Sequence, residues 1–132
     1  MKLLTAAIRK AMPFGGAISN LENDKIPIIC KFFLPEGRWT WYITDATLWT
    51  PDGTEKMLKD CTEEECEDED NDIIFFGYCL SGLGEDCDEL GTSSYQEMKK
   101  VRTRFGLPME RDLSFPIGKI MLSEVMGKTS IT

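Results

Sequence analysis

A chain of 132 residues, 42% hydrophobic and 29% charged, has the length and composition of one folded domain rather than a disordered chain or two separate cores. No apolar run approaches the roughly 20 residues of a membrane helix, and the N-terminal residues lack the apolar stretch of an export signal. Five cysteines, an odd count, fit reduced thiols, and the net charge of −8 argues against direct nucleic-acid binding; a cytoplasmic protein without a membrane partner is expected.

In chain order, Thr5 is placed to cap a short helix over 6–12, which Pro13 stops. Phe14-Gly15-Gly16 breaks the pattern, and 19–25 reads as a polar loop. The nearly continuous apolar run 26–34 predicts a strand buried on both faces, with Cys30 as a small core residue. Pro35-Glu36-Gly37-Arg38 is a turn signal, so a hairpin to a second strand over 39–44 is expected. Period two puts Trp39, Trp41 and Ile43 on one face of it and Thr40, Tyr42 and Thr44 on the other.

The stretch 45–71 is the least orderly by sequence: a turn at 50–53, one or two helical turns over 54–58, then a run of acids. Between 60 and 72 lie nine of them and no base: Asp60, Glu63, Glu64, Glu65, Glu67, Asp68, Glu69, Asp70 and Asp72. The rest of the chain holds fourteen acids against fifteen bases, so the acidity belongs to one segment. Mutual repulsion predicts a solvated, mobile loop there.

A third strand is expected over 73–80, ending on Cys79 as a second small core residue. A turn over 82–88 carries further acids (Glu85, Asp86 and Asp88, with Glu89 beyond), and 89–93 reads as a short fourth strand. Ser94 and Glu97 have capping-box spacing ahead of a helix to about Phe105, stopped by Gly106, with Tyr95, Met98, Val101 and Phe105 on its apolar side. The tail offers an extended 109–115 and a last helical turn or two over 120–126. These elements predict a single α+β domain over 1–132: a small antiparallel sheet of about four strands with two or three helices, and an acidic loop inserted between strands.

Several runs resemble a family of uncharacterised bacterial proteins, domain of unknown function 2958. They are Lys31-Phe32-Phe33, Trp39-Thr40-Trp41-Tyr42, Phe75-Phe76-Gly77, Phe105-Gly106-Leu107-Pro108-Met109-Glu110-Arg111-Asp112 and the closing Leu122-Ser123-Glu124. The stretch 46–71 departs from that pattern, where members typically carry a shorter acidic segment. The resemblance implies a setting on plasmids, integrative elements and phages, near genes for conjugation or for resisting restriction; it transfers no catalytic residue.

Chemistry is sparsely signalled. The absence of histidine removes the commonest general base and the Ser-His and Cys-His arrangements, and there is no phosphate-loop or dinucleotide pattern. No enzyme activity and no cofactor are expected. Glu110-Arg111-Asp112 reads as a structural salt bridge to Arg102 and Arg104 rather than a ligand clamp. Cys61, Cys66, Cys79 and Cys87 can be written as a zinc site, but their spacing is loose, so no metal is expected.

Two binding readings remain. In the preferred one, the nine acids from Asp60 to Asp72, with the 85–89 cluster, mimic a phosphate backbone and occupy the basic nucleic-acid-binding surface of a host defence nuclease. In the alternative, Trp41, Tyr42, Arg102 and Arg111 hold a nucleotide signal. A third possibility is an accessory subunit that pairs through its aromatic strand. Oligomeric state is open.

Overall fold

A computed structural model of the chain describes residues 2–35, 39–80 and 89–126. The turn residues 36–38, with Arg38, and the turn 81–88, with Glu85, Asp86, Cys87 and Asp88, lie outside the described residues. The class is α+β, as expected, with a mostly antiparallel main sheet.

Helix α1 (Ala6–Ala11) starts where Thr5 accepts the Ile8 amide and ends before Pro13. The apolar run 26–34 is not one strand but two. Strand β1 (Pro27–Ile28) pairs with β8 (Ile120–Met121) in a small second sheet, and β2 (Cys30–Phe33) joins the main sheet. Pro27 has no amide for a ladder, which suits the short outer pairing.

The hairpin to β3 (Thr40–Trp49) forms in the register Phe33 opposite Thr40. This strand runs five residues past the predicted end. Asp45, Ala46 and Thr47 look loop-like by type, yet all are buried, because β3 is the central strand. Strand β4 (Glu55–Lys56) folds back on it after the 50–53 turn, replacing the helical turns expected over 54–58.

Beyond a 3-10 turn (Leu58–Asp60) the acidic segment forms helix α2 (Glu63–Glu67) and not a loop. Strand β5 (Asp72–Leu80) then pairs with β3 along nearly its whole length, and β6 (Glu89–Ser94) with β5. Among the described residues the main sheet has six strands instead of four, in the order β6-β5-β3-β2-β7, with β7 being Glu110–Arg111 and β4 attached to β3.

Helix α3 (Tyr95–Lys100) begins on the Ser94 cap but stops five residues before Phe105. Thr103 is the reason: its side chain takes the Phe105 and Leu107 amides, closing a turn in which Gly106 holds a positive φ of 80°. Phe105 is consequently exposed, not on the apolar side with buried Tyr95 and Met98. Helix α4 (Leu122–Met126) completes the chain.

One face of the sheet carries the main core. Phe32, Ile43, Leu48, Ile73 and Phe75 pack there against Ile8, Leu58, Cys66, Tyr95 and Met98 from the helices. The other face holds a smaller cluster of Ile28, Tyr78, Leu122 and Val125, with Tyr42 and Phe115 beside it. Cys30 is in the main core as expected, whereas Cys79 is only half-buried near the end of β5.

The buried thiols make stability sensitive to alkali. Burial raises the Cys30 and Cys61 thiols and pushes Cys66 up to about 12, from an ordinary value of 9.0, and it raises the Tyr95 hydroxyl from 10.0. Protons held more tightly folded than unfolded stabilise fully below the unfolded value and are lost as pH rises past it. Stability should therefore hold up to about pH 9 and fall above it. A urea midpoint identical at about pH 8 and pH 10.5 would show that these groups reach water.

Candidate functional site

The segment expected to be mobile is built into the fold by ordinary helix chemistry. Thr62 accepts the Glu65 amide while the Glu65 carboxylate accepts the Thr62 amide, a complete capping box. Three glutamates in the first turn face the positive end of the backbone dipole. Cys61 and Cys66 are buried in the main core and anchor the segment from beneath. At its end the Asn71 side-chain amide donates to the Glu65 carbonyl, and Gln96 donates to the carbonyls of Asp68 and Asn71.

The repulsion is also met by cations from distant parts of the chain. Lys2 pairs with Glu63, Lys56 with Glu65, and Lys99 with Glu67 at 3.5 Å. Hydrogen bonds from those lysines are the first cause holding Glu63 and Glu65 below the ordinary carboxylate value, and Glu65 in turn raises Lys56. Glu67 also accepts the Tyr95 hydroxyl at 2.6 Å. Asp72 is turned inward, accepting the Ser94 hydroxyl at 2.5 Å and the amides of Ile73 and Gln96.

The nine acids thus fall into two groups. Glu63, Glu65, Glu67 and Asp72 are tied to the protein itself. Asp60, Glu64, Asp68, Glu69 and Asp70 are exposed and, among the described residues, have no ion-pair partner. Only these five present free charge outward. Of the second acidic cluster only Glu89 is described; it opens β6 and is exposed.

Beside the acidic face lies a cleft of about 540 Å³ between the N-terminal residues, α2, α3 and β7. Its charges are mixed: Lys2, Lys99 and Arg102 face Glu63, Glu67 and Glu110 over a floor that includes Leu3, Leu4 and Met109.

The four residues of the nucleotide reading are not brought together. Trp41 packs towards the main core, stacked on Trp39 at 5.9 Å, while its neighbour Tyr42 belongs to the opposite face beside Phe115. Arg102 lines the mixed-charge cleft and donates to the Lys99 and Val101 carbonyls. Arg111 is opposite Phe32 and donates to the Lys2 carbonyl. The salt bridge expected from the 110–112 segment forms elsewhere: Asp112 meets Lys31 at 3.6 Å, one strand over, because the short α3 turns Arg102 towards its own carbonyls.

Among the described residues no group of three or more acidic, cysteine or histidine side chains is arranged to hold a metal ion. Cys61 and Cys66 are core residues, Cys79 is on β5, and Cys87 lies outside the described residues. No helix is long and apolar enough to cross a membrane.

A family model with the description Protein of unknown function (DUF2958) matches residues 46–129, a span that begins within β3 and includes the whole acidic segment. The Trp39-Thr40-Trp41-Tyr42 run lies before that span. No curated protein matches, and no solved structure does.

Proposed function

As the chain belongs to the DUF2958 family, whose description assigns no activity, we propose its role from its charge: a non-enzymatic binding protein of a mobile element or phage. Its partner is the basic nucleic-acid-binding surface of a host defence nuclease. The observation that carries this reading is the five outward carboxylates, Asp60, Glu64, Asp68, Glu69 and Asp70, on a segment pinned by its cap, its buried cysteines and three ion pairs. A rigid array of like charge binds a complementary surface without the ordering cost that a mobile loop incurs. It also speeds encounter.

The test separates the two groups of acids. Changing the outward five to their amides should leave thermal stability within about 0.5 kcal/mol, since exposed charges away from partners contribute little. The same variant should lose any basic host protein that the wild type retains. Retention by the wild type should weaken steeply between about 50 and 200 mM salt and be displaced by duplex DNA. Equal retention by wild type and variant would overturn the proposal.

A further inference from the structure

The sheet face opposite α2 carries a groove of about 450 Å³, lined by Ile26, Leu122 and the loop before β1 on one side and by β6 on the other. Its size is within the range of small-molecule sites. Eight large apolar side chains are exposed among the described residues, and three of them, Leu21, Phe76 and Leu90, line this groove, making it the main exposed apolar concentration.

On its floor sits a carboxylate placed there by a fault in the strand. The β3–β5 register shifts between Ile43 and Asp45. Ile43 opposes Gly77, and the next pair is Asp45 with Phe76, leaving Thr44 as the extra residue. A regular strand would have put Thr44 opposite Phe76; the bulge turns Asp45 to the groove instead. Asp45 is 4% exposed, accepting the Gly16 amide at 2.8 Å and the Thr44 hydroxyl at 2.5 Å. No lysine or arginine lines the groove, and among the described residues none pairs with Asp45. A nearly buried carboxylate with neutral donors and no counter-cation is an incomplete arrangement, because desolvated charge is stabilised best by opposite charge.

We propose that the groove binds a small apolar amine. Its cationic nitrogen meets Asp45, and a compact aromatic or branched aliphatic body covers Leu21, Phe76 and Leu90. The site lies across the sheet from the acidic face and is independent of it.

Titration of the 15N-labelled protein with 2-phenylethylamine, and separately with the neutral 2-phenylethanol, tests this. Saturable shifts are expected at the amides of Gly16, Gly77 and Gly91, with the amine bound at least about tenfold more tightly than the alcohol, the scale of a charge-assisted contact. Asp45→Asn should reduce the amine to the affinity of the alcohol. Should that variant fail to fold, Leu90→Ala, at an exposed rim position, should weaken both probes while preserving the preference for the amine. Equal binding of amine and alcohol to the wild type, no saturable shift, or shifts confined to α2 would each overturn the assignment.

Discussion

A Gly77→Ala protein is expected to lose about 3 kcal/mol or more, a large part of the 5–15 kcal/mol that holds a typical domain together. Gly77 lies in the middle of β5, between β3 and β6. A Cβ built there would stand 2.0 Å from the Tyr42 carbonyl oxygen and 2.9 Å from its carbon. These are backbone atoms of the central strand, held by the ladder on both sides, so no rotamer change relieves the clash. The close approach sits beside the bulge after Ile43, where β3 presses onto β5. Gly91, opposite Gly77 on β6, is the control: nothing lies within 4 Å of a Cβ there. Gly91→Ala should be neutral or stabilising by about 0.5 kcal/mol, through the unfolded chain. Urea unfolding of both variants checks the pair, and a Gly77→Ala midpoint near wild type would refute the packing argument.

Tyr95→Ala is expected to cost about 3–5 kcal/mol and Tyr95→Phe about 1 kcal/mol. The ring is 2% exposed and meets Phe75 edge-on at 5.7 Å, with the Lys99 ammonium 4.6 Å from its centroid. Its hydroxyl reaches the other way, to Glu67 on α2. One residue therefore joins the core to the acidic segment. Hydrogen exchange separates the two roles: Tyr95→Phe should speed exchange of the α2 amides while leaving those of β3 and β5 slow. Unchanged α2 exchange would show that the cap and the lysine pairs suffice without the hydroxyl.

Much of the fold was legible because its signals are local. The Thr5 cap and Pro13 stop, the hairpin before Thr40, the apolar run of β5 and the Ser94 cap all act within a few residues of where they are read. The acidic segment was misread because repulsion is a local property of the sequence while its relief is not. Lys2, Lys56 and Lys99 arrive from three other elements, and nothing near α2 announces them. One local signal was present: Thr62 and Glu65 have the same spacing as Ser94 and Glu97, outweighed by the charge count around them. Residues 45–47 failed for a related reason. Asp45 and Thr47 are polar by type, and only the central position of β3 buries them. In the candidate site, strand alternation alone separates Trp41 from Tyr42, whereas the division of the nine acids into paired and outward groups needs the tertiary structure.

The way the ends of the chain are stitched together bears on how fast it can fold. Strand β1 closes on β8, Phe32 on Arg111, and Lys2 on Glu63, so segments far apart in sequence must meet before either core is complete. Topologies rich in such remote pairings fold on the order of milliseconds to seconds, far slower than helical bundles of similar size. No early autonomous unit is available either. The span 46–129 starts midway along β3 and leaves out α1, β2 and the first half of that strand, so a fragment cut at 46 would expose the Phe75 face of the core. During synthesis the nascent protein must wait for its last strand, and Ile73, Ile74, Phe75 and Phe76 are the apolar run it carries uncovered meanwhile.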